Sequence, residues 1–117
     1  MSASPTAVFA ALADPTRWQV LNLLAEHDGG TATSLAEQMP VSRVAVVKHL
    51  GVLGGAGLVD SRRDGREVRF SVVTDALQDT AMLLARLASE WDTRLAAIKQ
   101  FAEADTPPTT PDREAPR

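Results

Sequence analysis

The chain has 117 residues and a mass of 12.5 kDa, room for one domain with a tail but not for two independent cores. Its 44% apolar and 23% charged content is ordinary for a soluble globular protein; no apolar run nears the roughly 20 residues of a membrane span, and the lack of Cys excludes disulfides, thiolate metal sites and thiol redox sensing. The net charge of −3 hides a contrast: residues 42–70 hold six basic side chains against three acidic ones, while the rest of the chain holds six against twelve. The first basic residue is Arg17 and no apolar run follows a positive N-terminus, so no secretory leader is expected and a reduced, cytoplasmic setting is the simplest inference.

Taken in order, Ser4-Pro5 opens a first helix through Ala7, Val8, Phe9 and Leu12. Asp14-Pro15 restarts the chain, since Asp accepts hydrogen bonds from free N–H groups and Pro suits the first helical position. The second helix runs to about His27, with Val20, Leu21, Leu24 and Ala25 on one side, and Asp28-Gly29-Gly30 ends it. Residues 33–38 form a short third helix with Thr33 as its cap, and Met39-Pro40-Val41 is a tight break. Ser42 caps a fourth helix whose Val44, Val47, Leu50 and Leu53 give an apolar side, weakened late by Gly51, Gly54 and Gly55. Gly57 stops it. Leu58-Val59 begins a strand, Asp64-Gly65 signals a two-residue hairpin, and residues 68–72 alternate as the returning strand. Thr74 or Asp75 caps a long final helix to about Ala104. From Asp105 onward four of thirteen residues are Pro, predicting a disordered tail. The expected organisation is one mainly α domain over 1–104 with a small β-hairpin, in the order α-α-α-α-β-β-α, and a tail over 105–117.

A short helix, a break, an amphipathic helix and a basic hairpin, in that order, make a winged helix-turn-helix. The free N–H groups and positive dipole end of the helix begun by Ser42 favour a phosphate. Its polar side carries Ser42, Arg43, Lys48 and His49, with Ala45 and Val46 between them, and suits the major groove, where Arg or Lys pairs with guanine. Arg62, Arg63 and Arg66 surround the hairpin tip, where arginines lie along the backbone or enter a narrow minor groove. Each piece alone has a plainer explanation, an aggregation-resistant edge or a surface helix; the combination points to double-stranded DNA.

Residues 11–17 (Ala-Leu-Ala-Asp-Pro-Thr-Arg) with Val20-Leu21 and Leu23-Leu24, then Leu35-Ala36, Val41-Ser42, Lys48-His49-Leu50 and Val52-Leu53, resemble the ArsR/SmtB-type bacterial transcriptional regulators. Ala56-Gly57-Leu58-Val59 leading to Arg62-Arg63-Asp64-Gly65-Arg66 resembles the exit into their wing. The likeness covers about residues 7–73 and implies a homodimeric repressor or activator with a five-helix winged fold. The chain departs from that family where Ala45 and Val47 stand in place of frequent hydroxyl residues and where Gly51 and Gly54 replace frequent Lys or Arg, so the operator of a relative does not transfer.

The family's Cys and carboxylate–His metal motifs are missing. His27 reads as a solvated helix-terminal residue and His49 as a DNA or packing residue; Asp75 and Asp79 read as helix-start charges, leaving a nickel or other metal-responsive regulator with a non-standard site as an alternative. No cofactor or metal is expected. No nucleophile–base pair, paired acid–base carboxylates or phosphate-cradling Gly loop can be assembled, so the chain does not read as an enzyme. In the last helix Leu77, Leu84, Trp91 and Ile98 recur every seven residues, beside Ala81, Ala88, Leu95 and Ala102, with Leu87 and Phe101 as a third row. So wide a stripe predicts a homodimer core, joined by Val8, Phe9 and Leu12 of the first helix; packing within one chain and an aromatic effector pocket are the competing readings. A small-molecule or protein effector stays open, as does a winged-helix protein-interaction module that binds no DNA. No membrane partner is expected.

Overall fold

The computed structural model describes residues 4–105, so the predicted Pro-rich tail lies, apart from Asp105, outside the described residues. Helix α1 (Pro5–Leu12) starts where Ser4 leaves the extended region and its Oγ accepts the Ala7 N–H at 3.1 Å. Helix α2 (Pro15–Glu26) is capped by Asp14, whose Oδ1 accepts the N–H groups of Thr16 at 2.7 Å and Arg17 at 3.2 Å. Arg17 then reaches back: its Nε–H donates to the Ala11 carbonyl at 2.7 Å and an Nη2–H to that of Ala10 at 3.2 Å. Side chains of one tetrapeptide, residues 14–17, thereby partner two open donors of α2 and two carbonyls at the end of α1.

Asp28 and Gly29 take positive φ values of 56° and 108° and turn the chain into β1 (Gly30–Thr31), a two-residue strand that the sequence did not announce. A Cβ on Gly29 would stand 3.0 Å from the Phe70 carbonyl oxygen, so strand contact there requires Gly. Helix α3 (Ala32–Ala36) is capped by Thr31, not by Thr33. The Thr31 Oγ1 accepts the Ser34 N–H and the Ser34 Oγ accepts the Thr31 N–H, each at 3.0 Å, a reciprocal box with Ser in the place usually held by Glu.

Helix α4 (Arg43–Gly55) is capped by Ser42, whose Oγ accepts the Ala45 N–H at 3.1 Å. Its core face is Val46, Leu50 and Leu53, which corrects the predicted set: Val44 and Val47 are exposed. The reason is angular. At 3.6 residues per turn, positions 46, 50 and 53 fall within about 60°, whereas 44, 47, 50 and 53 drift across about 180°. The helix passes through all three glycines and stops at Gly57, with φ 77°.

Strands β2 (Val59–Asp64) and β3 (Glu67–Val72) pair antiparallel from Val59↔Val72 to Asp64↔Glu67. The tip is therefore Gly65–Arg66, one residue later than predicted. Gly65 has φ 67° while Arg66 does not enter the positive region, the sign pattern of a type II′ turn; an Asp-Gly type I′ tip would need two such residues. Because β1 pairs with β3 through Gly30↔Phe70 and Thr31↔Arg69, the expected two-stranded hairpin is a three-stranded sheet of order β1-β3-β2.

The core joins Val8, Val20, Leu24, Leu35, Val46, Leu50, Leu53 and Leu58. Val8, predicted at a dimer surface, is 1% exposed beside Ala11, because α1 turns this face onto its own chain; it is unavailable to a partner. Leu12 and Leu77 are likewise half-buried against the core, while Phe9 is exposed. Helix α5 (Asp75–Asp105) begins with the Gln78 N–H donating to the Thr74 carbonyl at 2.8 Å. Its residues up to Ala81 belong to the first compact unit; a second unit starts at Met82. Along that second unit Leu84, Leu87, Trp91, Leu95 and Ile98 are all exposed, and the Arg94 guanidinium stands 5.1 Å from the centroid of the Trp91 ring.

Candidate nucleic-acid interface

The first unit presents a helix, a break and a second helix, followed by an arginine-bearing hairpin. Around α4, residues three and four apart share a face. With Val46, Leu50 and Leu53 inward, the opposite stripe is Val44, Lys48, Gly51 and Gly55, all exposed. Val44 is 64% exposed and Val47 44%, whereas Val46 is 0% exposed and cannot touch DNA. Val46 is thereby removed from the predicted contact set: its methyls fill the core beneath the helix. Ala45 is half-buried on the far flank, and Ser42 is exposed at the start.

Arg43 does not project freely. Its Nε–H donates to the Thr33 Oγ1 at 3.2 Å, linking the first turn of α4 to α3. It borders a groove of about 380 Å³ with Thr33, Val47, Arg66 and Val68, which runs between the helix pair and the wing. Arg43 and Arg66 thus sit on one groove, a juxtaposition the sequence did not disclose. Lys48 is exposed on the outward stripe.

His49 goes elsewhere. It is half-buried on the flank of α4 next to the start of α2, close enough for its charge to act on Asp14. The Asp14 carboxyl is held below the usual carboxylate range first by the Thr16 and Arg17 backbone N–H groups; desolvation opposes them, and the Arg17 and His49 charges each add a smaller lowering contribution. His49 thus lies on the half-buried flank of α4, off the outward stripe.

Cross-strand partners share a face of the wing. Arg62 lies opposite Arg69, on the face away from Phe70, while Arg63 lies opposite Val68 on the face that continues Val59 and Phe70. Arg66 occupies the turn itself. Among the described residues no ion pair ties Arg62, Arg63, Arg66 or Arg69 to a carboxylate; the first three are exposed, and Arg69 is half-buried. Arg69, absent from the predicted set, adds to this field; its strand alternation with Phe70 was the available signal. Among the described residues no three His, Asp or Glu side chains are grouped as metal ligands, and no helix is long and apolar enough to cross a membrane.

Residues 12–62 match a family model described as a helix-turn-helix domain. The transcriptional repressor SdpR of Bacillus subtilis (strain 168) is 33% identical over 88 residues, covering 75% of this chain and 97% of that protein. An ArsR-like transcriptional regulator from Rhodococcus sp. RHA1 superposes with a TM-score of 0.77 at 49% identity, covering 84% of this chain and 92% of the other. The homodimeric winged helix-turn-helix DNA-binding domain of Mb0332 from Mycobacterium bovis, a solution structure, superposes with a TM-score of 0.56 at 29% identity, covering 74% and 77%.

Proposed function

The chain belongs to the ArsR family of winged helix-turn-helix, DNA-binding transcriptional regulators, and from that membership we propose that it acts in the cytoplasm as a homodimeric repressor on a near-palindromic promoter site. The observation that carries this reading is the pairing, on one compact unit, of an outward α4 stripe beginning at the Ser42 cap with a wing whose arginines have no carboxylate partner among the described residues. Arg62, Arg63 and Arg66 take phosphates along the duplex. Arg43, on the same groove as Arg66, does likewise with the free N–H groups behind Ser42. Lys48 enters the major groove and meets base edges.

The repressor role is supported by the name of the SdpR relative, and the homodimer by the Mb0332 solution structure and the uncovered apolar stripe of α5. Two α4 helices held one helical turn apart, about 34 Å, meet successive major grooves on one side of the duplex.

The test is retention of duplexes from the source genome at graded salt. Affinity falls steeply between about 50 and 200 mM salt because cations leave the phosphates. Arg43→Ala and Arg66→Ala each weaken binding on all duplexes and lower the salt slope by about one, whereas Lys48→Ala weakens it unequally among sequences. A chain that retains no genomic duplex at low salt, or binds with no salt dependence, overturns the proposal.

A further inference from the structure

We infer that Val44 and Val47 read thymine methyl groups, so that each half of the operator places thymine opposite the outward face of α4. This rests on the DNA-binding reading and adds a base identity to it. Val44 lies on the outward stripe with Lys48 and the bare Gly51 and Gly55, and Val47 stands on its wing-side flank, so the two valines form the apolar surface there. Val46 between them is buried, so the segment has one valine for the core and two that the core does not use. Neither serves a phosphate, since a valine side chain has no hydrogen-bond donor. In the major groove the thymine C5-methyl is the one apolar group on any base edge, and apolar side chains recognise it by contact.

Spacing supports the pairing. Residues three apart on a helix hold their Cβ atoms about 5–6 Å apart, within reach of base pairs one or two steps apart at about 3.4 Å each. Arg43, held to Thr33 at the first turn, and Lys48, beside Val44 and Val47, flank the pair with cations that bring the backbone and neighbouring bases close. Val47 also borders the wing-side groove, so it is the less exposed of the two and faces the flank nearer the wing.

The experiment uses the full chain and duplexes selected by it from a randomised pool. Each thymine in the selected site is replaced singly by deoxyuridine, which deletes the methyl and keeps the hydrogen-bonding edge. One or two replacements per half-site are expected to weaken binding about threefold to tenfold, the effect of one buried methyl. Val44→Ala and Val47→Ala each abolish the sensitivity at one position while leaving the thermal unfolding midpoint within a degree or two, as both side chains are exposed. Selected sites with no preferred thymine, a flat uracil scan on a duplex that is bound with steep salt dependence, or sensitivity that persists in both variants overturns the inference while the DNA-binding reading stands. Failure to select any duplex overturns both.

Discussion

Asp14 shows how much one side chain can organise. Its Oδ1 accepts two N–H groups at the start of α2 while Arg17, 3.9 Å from its other oxygen, closes over the end of α1. Because folding lowers the Asp14 pKa, the carboxylate contributes stability that is full above its unfolded value near 4 and is lost as pH falls through the lower folded value. Asp14→Ala is therefore expected to lower the unfolding midpoint at pH 7, with the gap to the parent chain narrowing below about pH 4; Asp14→Asn keeps a cap and has the smaller effect at pH 7. Calorimetry across pH 3–7 checks this, and a gap that widens on acidification would contradict the capping role. The Asp14 cap was legible from the Asp-Pro pair, but Arg17 was not, since its partners are carbonyls six and seven residues back. The valines were ambiguous for another reason: Val44, Val46 and Val47 are chemically alike, and only the position of α2 and α3 decides which turns inward. Val46→Ala should cost about 2 kcal/mol in chemical denaturation, through two lost methyls and the void they leave, while Val44→Ala stays within about 0.5 kcal/mol. Equal effects would mean that α4 is rotated from the register described.

At the scale of elements, α4 is peculiar in holding Gly51, Gly54 and Gly55 within thirteen residues. A Cβ on Gly51 or Gly55 would meet nothing within 4 Å, and one on Gly54 would reach only ordinary contact with Val59 at 3.9 Å. Internal packing therefore does not require these glycines, and each weakens the helix through its larger unfolded-state freedom. Gly51→Ala and Gly55→Ala should each raise stability by about 0.5–1 kcal/mol, read as a higher denaturation midpoint with an unchanged slope. A loss of stability would show that the space around those positions is occupied. Helix starts were legible wherever Ser or Asp precedes Pro or an apolar run, as at Ser4, Asp14 and Ser42. The start of α3 was displaced from Thr33 to Thr31 because β1 already holds Thr31 extended, leaving its hydroxyl in position to cap. That strand is a product of pairing with β3, and two residues containing a Gly carry no alternation from which to read it. The hairpin tip moved by one residue for a similar reason: the register of Phe70 and Val72 against the core fixes which residues oppose one another.

For the whole molecule, the decisive surface is the run of α5 from Met82 onward, where Leu84, Leu87, Trp91, Leu95 and Ile98 stay in solvent. Trp91, 48% exposed, meets the Arg94 guanidinium of its own chain, and a cation over an exposed ring contributes only about 0.5–1 kcal/mol. Leu84, Trp91 and Ile98 keep a seven-residue period, shorter than two turns of a straight helix, and such a seam stays in register only against another helix that supercoils with it. Trp91→Asp places a charge in the middle of the seam and should convert a dimer to a monomer at micromolar concentration by sedimentation equilibrium. The first unit contains neither this residue nor its neighbours, so the Val46–Leu50–Leu53 core should survive, seen as retained dispersion of its methyl resonances. Duplex affinity should then fall by about a hundredfold or more, because each α4 binds alone without the effective concentration that a tethered second copy supplies. A Trp91→Asp chain that remains dimeric would assign the self-association to other residues. One that is monomeric yet binds the full site as tightly as the parent would show that a single α4 and wing supply all the affinity, and the two-headed reading of a palindrome would fall.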